Sequence, residues 1–143
     1  MHRFNRIGSI IGLTLSLGIS AARADVVAVV SSRSPVANLS KIQVADIFLG
    51  KAARFPDGSP AVPIDQVEGT APRKEFYLQF TGKSAAQLKA HWAKVIFTGR
   101  GQPPRSVSNS VEVKKRLLEN PQAIGYIESN MVDGSVKVLL ATE

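Results

Sequence analysis

The sequence predicts an α/β domain with a mainly parallel sheet flanked by helices, and three features predict it. Five apolar residues in a row, Val26 to Val30, suit a strand buried on both faces. Two Ser-x-x-Gln patterns, Ser40 with Gln43 and Ser84 with Gln87, mark helix starts through the capping box. Around them, short apolar segments bounded by Gly, Pro and Asp alternate with stretches of helical periodicity.

Residues 1–24 are set apart from that domain. Arg3 and Arg6 form a positive n-region, and Ile7 to Ile19 is an apolar core of the length a signal peptide needs. Ala22-Arg23-Ala24 offers small residues at the two positions a signal peptidase reads, so cleavage before Asp25 is expected. The apolar run is shorter than the ~20 residues of a membrane span. There is no cysteine to carry a lipid. Cleavage removes three of the 18 basic residues and leaves a surplus of +4 over the 11 acidic ones. That surplus is scattered, unlike the basic stripe of a nucleic-acid binder. An exported chain without cysteine has no disulfides, so its core must stabilise it alone. The expectation is a periplasmic protein whose residues 25–143 form one domain.

After the first strand, Ser31-Ser32-Arg33-Ser34-Pro35 is a polar loop at the strand's C-terminal end, the edge where open α/β sheets bind ligands. Ser40 then caps a helix, with Leu39 and Val44 placed as its hydrophobic staple. Val44, Ala45, Ile47, Phe48 and Leu49 give it a wide apolar face, and Gly50 suits a left-handed stop. Pro56-Asp57-Gly58 is a turn, and Ala61 to Ile64 a short strand. Strand, helix and strand in this order predict a right-handed crossover. Pro72 opens a helix to about Phe80, with Phe76, Tyr77 and Phe80 on one buried face. A further helix from Ser84 carries Leu88, Trp92, Val95 and Ile96 as its apolar stripe. Residues 98–108 read as loop. Asn109 with Glu112 starts a helix from Ser110 to about Glu119, and Ala123–Ile127 and Val136–Leu140 are the last strands. The final strand could pair antiparallel.

The catalytic inventory is thin, and no enzyme is expected. His91 is the one histidine after residue 24 and lies mid-helix as a packing or surface residue. There is no thiol nucleophile and no thiolate metal site. No serine stands in a Gly-x-Ser-x-Gly elbow. Asp65 and Glu68 are the carboxylates nearest a candidate loop. No cofactor is implied. An anion site built from free amides at helix starts is the better candidate. Two places offer one: Glu68-Gly69-Thr70 leading into the Pro72 helix, with Arg73 one turn in, and the loop of Ser31, Ser32 and Ser34. The plainer alternative at the first is an N-capped helix with a surface Glu68–Arg73 pair. Arg100 and Arg105 could clamp an anion but suit a solvated structural loop better.

The segment DIFLGK, a basic-aromatic pair, a Pro-Asp-Gly turn and a VPI strand together resemble the central segment of periplasmic phosphate-binding proteins of ABC transporters. WAKVIFTGRGQPP (Trp92–Pro104) and NPQAIGYIES (Asn120–Ser129) fit the same family in the same order. The resemblance implies a short, single-lobe member with one lobe of a type 2 periplasmic-binding-protein-like fold. It implies phosphate or a related oxyanion as ligand and a membrane permease or sensor as partner. A second copy of the chain could supply the missing lobe. The family's Ser-Gly-Thr motif maps onto Glu68, Gly69 and Thr70, with the serine replaced by a carboxylate. Ile64 or Asp65 stands near the family's arginine. The alternative is a protein-interaction or signalling accessory domain that has kept the lobe and lost the ligand. A hydrolase is the third reading.

Overall fold

The computed structural model describes residues 25–139 and Gly12. The expected signal peptide and Leu140 of the last predicted strand lie outside the described residues, Gly12 excepted. Five strands form one sheet: β1 (Val26–Ser31), β2 (Val62–Gln66), β3 (Arg105–Val107), β4 (Ala123–Glu128) and β5 (Val136–Val138). Four helices accompany them: α1 (Lys41–Phe48), α2 (Ala71–Thr81), α3 (Ala85–Phe97) and α4 (Ser110–Glu119). A single 3-10 turn, Ser129–Met131, follows β4.

Across the sheet the strands run β3-β2-β4-β1-β5. β2 is parallel to β3 and to β4. β1 is antiparallel to β4 and to β5. Four strands therefore point one way and β1 alone the other, so the predicted α/β lobe stands. The antiparallel last strand was also expected. The predicted right-handed crossover from β1 to β2 is corrected: β4 lies between them and β1 runs opposite to β2. An apolar run announces a buried strand but carries no sign of its direction, which its neighbours' hydrogen-bond ladders decide. β3 is a second correction, since residues 98–108 were read as loop. Its three residues add in parallel along β2, pairing Ile64 with Arg105 and Gln66 with Val107.

The helix starts follow the sequence closely. Ser40 and Ser84 each accept from the amide three residues on, and Gln43 and Gln87 reach back to the cap amides at 2.9 Å. Asn109 caps α4 by accepting from the Glu112 amide. Gly50 ends α1 at φ +75°, with the Trp92 ring lying where a Cβ would be.

Two cores result, one on each face of the sheet. Ala28, Val30, Ile124 and Tyr126 point toward α1, α2 and α3 and join Val44, Phe48, Phe76, Leu88 and Trp92. Val29, Ala123 and Ile127 point the other way, against Val113 and Leu117 of α4. Alternation along β1 and β4 thus feeds both cores, which is why neither strand shows a polar period. Phe76 stacks on Tyr126 with ring centroids 4.0 Å apart and planes within 4°, and meets Phe48 edge-on at 4.7 Å.

α4 packs closest over Gly125, where an added Cβ would lie 2.5 Å from Val113 Cγ1. Gly125→Ala is expected to lower the unfolding free energy by about 1–3 kcal/mol through overpacking. Val113→Ala in the same chain should recover part of that loss, and a double-mutant cycle by denaturant unfolding measures it. Additive losses would show that the close approach has no energetic weight.

Candidate functional site

The residues with unusual chemistry converge where β2 runs into α2. Asp65 lies near the end of β2 with 2% of its surface exposed. A buried carboxylate is costly unless its oxygens are met by donors. Here four donors meet them. Oδ1 accepts from the Gln66 amide at 2.8 Å and from the Tyr126 hydroxyl of β4. Oδ2 accepts from the Tyr77 hydroxyl at 2.6 Å and from Arg73 Nη1 at 3.3 Å, both of α2. Arg73 Nη1 also donates to the Gln66 carbonyl at 3.0 Å, and its guanidinium lies over the Tyr77 ring. The buried Gln66 side chain extends the network, donating to the Tyr126 carbonyl at 3.0 Å and to Ser110 Oγ at 3.3 Å. Every buried side-chain polar atom among the described residues has a partner.

Electrostatics follow from this geometry. Burial pushes the phenols of Tyr77 and Tyr126 well above the ordinary tyrosine range. The Asp65 charge and their hydrogen bonds to it push in the same direction. Both shifts favour the protonated, donating form of the two hydroxyls.

The turn beyond β2 is built differently. Gly69 has φ +90°, a left-handed conformation that swings the chain into α2. Thr70 occupies the N-cap position without capping, because its hydroxyl donates to the Val67 carbonyl at 2.9 Å. Pro72 has no N–H. The amides of Ala71 and Arg73 are left at the positive end of the helix with no acceptor among the described residues. Glu68 is exposed and makes no hydrogen bond or ion pair among the described residues, so its side chain does not fill their place. Nor does Arg73 form the surface pair with Glu68 that the sequence offered; Asp65 holds it instead.

A cleft of about 360 Å³ opens beside this turn, between α2 and the start of α3. Glu68, Gly69, Thr70, Arg73 and Lys74 line it together with Leu78, Lys83 and Leu88.

Of the sequence candidates, Gly69, Thr70 and Arg73 come together here. Ser31, Ser32 and Ser34 do not. β1 is antiparallel to the rest of the sheet, so the end of β1 lies at the opposite edge, beside the start of β2. The hydroxyl of Ser31 accepts from the Arg33 amide and that of Ser34 from the Val36 amide, both at 3.2 Å. Arg33 reaches the Leu118 carbonyl at the end of α4. Arg100 and Arg105 are likewise apart: the first lines a cleft with Lys51 and His91, the second one along β2. His91 Nε2 donates to the Leu49 carbonyl at 2.8 Å, tying α3 to the end of α1. Trp92, Phe76, Tyr77 and Phe80 are buried. The role of Asp65 was not recognised from the sequence. The signal that could have found it is Arg73 and Tyr77, four apart on one helix face, with a lone carboxylate ending the preceding strand.

Among the described residues no cluster of His, Asp or Glu could hold a metal ion, and no helix is long and apolar enough to cross a membrane.

No protein-family profile matches the chain, and no curated protein does. Solved structures match over most of it. A Clostridium perfringens protein with bound phosphate, described as a candidate phosphate ABC transporter substrate-binding protein, aligns with a TM-score of 0.63 at 24% identity. The alignment covers 80% of this chain and 43% of that one. An ABC-type phosphate transport receptor from Vibrio cholerae gives 0.62 at 21%, over 80% of this chain and 44% of the other. PstS from Borrelia burgdorferi gives 0.60 at 15%, over 82% and 47%. The chain therefore has the fold of one part of the phosphate substrate-binding proteins and spans less than half their length.

Tyr77 and Tyr126 bind their protons more tightly folded than unfolded, where tyrosine titrates near ~10. Stability from the pair is therefore fully present below about pH 10 and is lost as pH rises beyond it. Phenolate absorbance should appear together with loss of structure, not before it. Tyr77→Phe should cost about 1–3 kcal/mol by leaving the carboxylate short of a donor. A variant as stable as the parent would show that this hydroxyl is dispensable.

Proposed function

We infer that this chain is a non-enzymatic binding protein that holds phosphate or a related oxyanion at the start of α2. One observation carries the reading: the Ala71 and Arg73 amides point from an uncapped helix start with no described acceptor, beside a left-handed Gly69. Free first-turn amides and the positive helix end are a general solution for small oxyanions. Arg73 adds donors, since Asp65 neutralises its charge but, with the Gln66 carbonyl, engages only its Nη1 and leaves the rest of the guanidinium N–H groups. The phosphate-binding identity of proteins sharing the fold supports the same ligand class.

In this reading Thr70 contributes its backbone position. Its hydroxyl proton is engaged by the Val67 carbonyl. Glu68 sets the affinity from the other side, because a carboxylate at the rim disfavours an anion until it turns to solvent. The serine loop at the opposite sheet edge takes no part. Residues 1–24 are read as a cleaved leader, the working place as the periplasm, and the partner as a membrane permease or sensor. The remaining half of the ligand's shell would come from that partner or from a second copy of the chain.

Calorimetric titration of residues 25–143 with phosphate and sulfate tests the reading. Phosphate should release or absorb heat at millimolar concentration or below and raise the melting temperature by mass action. Ala71→Pro removes one amide while keeping a residue favoured in the first helical turn. It should weaken phosphate about 10-fold with the melting temperature of the free protein unchanged. Glu68→Gln should tighten phosphate about 3-fold. Absence of binding at millimolar phosphate would favour a lobe kept for protein interaction alone.

A further inference from the structure

The carboxylates of this chain are unevenly placed. Residues 76–111 contain no Asp or Glu, yet Lys83, Lys89, Lys94, Arg100 and Arg105 all fall among them. Outside that stretch four cations are paired: Arg73 with Asp65, Lys114 with Asp133, Lys115 with Glu112 and Arg116 with Glu119. α3 lies within the carboxylate-free stretch and buries only Leu88 and Trp92. In its last turn Ile96 is 55% exposed and Phe97 92%. Phe97 takes part in neither core. Single exposed apolar residues are ordinary, but two large ones side by side among unpaired cations mark an interaction surface.

Part of this charge gathers round one hollow. A cleft of about 750 Å³ opens where α3 passes the end of α1, lined by Leu49, Gly50 and Lys51 after α1 and by His91, Lys94 and Arg100 along and after α3. No carboxylate lines it, and Asp46, the nearest one in the chain, is not part of the lining. The side chains of Lys51, Lys94 and Arg100 have no hydrogen-bond or ion-pair partner among the described residues. Cations sharing one hollow repel each other, and an anionic occupant relieves that repulsion. The walls are fixed to one another, because His91 Nε2 donates to the Leu49 carbonyl and the Trp92 ring packs against Gly50. The hollow on the other flank of α3 differs, since Glu68 lines it together with Arg73 and Lys89.

We propose that this cleft and the exposed end of α3 form a docking surface for an acidic segment of another protein, an Asp- or Glu-rich chain bearing an apolar side chain. Charge complementarity selects the occupant, since Lys51, Lys94 and Arg100 face no carboxylate of their own chain in the cleft. Concavity favours a chain segment over a bilayer: a flat anionic surface would meet Phe97 but cannot follow a hollow between two helix ends. Phe97 supplies the apolar contact, and exposed aromatic side chains are over-represented among the residues that carry binding energy. The cleft shares no lining residue with the one beside Gly69 and Thr70, so the proposal does not rest on the oxyanion reading.

Fluorescence anisotropy on residues 25–143, which contain every strand, helix and core residue described above, tests it. The probes are a labelled peptide of glutamates around a central leucine and its counterpart with glutamine for glutamate. At low salt the glutamate peptide should bind at least about 10-fold more tightly, and the difference should shrink as salt screens the charges. Lys94→Glu and Arg100→Glu should each weaken it about 5-fold or more, while Lys115→Glu on α4, with the same change in net charge, should weaken it less than about 2-fold. Phe97→Ser should weaken it about 3-fold. All four positions are exposed, and melting temperatures check that each variant is folded. An equal loss in Lys115→Glu would reduce the effect to net charge and overturn the docking surface. Equal affinity of the two peptides, or no binding of either at millimolar concentration, would overturn it as well. Binding to phosphatidylglycerol vesicles without binding to the peptide would assign the face to a membrane and overturn the acidic segment. Ala71→Pro, which weakens phosphate at α2 in the reading above, should leave the peptide affinity unchanged; a parallel loss would move the peptide to α2 and overturn the cleft.

Discussion

Asp65 is a carboxylate enclosed by protein, and the layout around it is the layout that enclosure demands. An ionised carboxylate out of water loses several kcal/mol of hydration unless donors replace it, and a half-satisfied one is worse than none. Here the replacements come from three places: the next amide of β2, a tyrosine of β4, and a tyrosine and an arginine of α2. Each donor must be in register for the set to close. The network therefore fixes how far β2 slides along β4 and where α2 begins above the sheet.

Aromatic packing and this polar network reinforce one another. Tyr126 stacks its ring on Phe76 while its hydroxyl reaches Asp65, so one side chain serves the apolar core and the buried charge together. Tyr77, next to Phe76 on α2, does the same from the helix side. Moving α2 by one residue would break the Phe76–Tyr126 stack and the Tyr77 and Arg73 contacts to Asp65 at once. Cooperative coupling of this kind gives a small domain without disulfides a well-defined lobe.

The same constraint shapes the candidate site. Because Arg73 is held by Asp65 and the Gln66 carbonyl, the first turn of α2 is anchored without a side-chain cap, and its amides remain free. In α1, α3 and α4 a serine or asparagine occupies those donors. Among the described helices, α2 is the one whose start is held from within and keeps first-turn amides without an acceptor. Around it the surface is mixed, with the carboxylate of Glu68 beside Arg73 and Lys74, so the local field follows these near charges more than the chain's net positive charge.

Local order was legible in the sequence because its causes lie within a few residues. The capping boxes at Ser40 and Ser84, the Asn109 cap, the left-handed Gly50 and the buried aromatic face of α2 each follow from side chains three or four positions apart. So did the fold class, from an apolar first strand and alternating elements. The direction of β1 and the existence of β3 were not legible, since both depend on hydrogen-bond partners distant in the chain. That antiparallel β1 carried Ser31, Ser32 and Ser34 to the far edge of the sheet, away from Gly69, Thr70 and Arg73. Only tertiary structure could bring Asp65 to Tyr126, 61 residues away, because a buried charge finds its donors through packing and not through spacing.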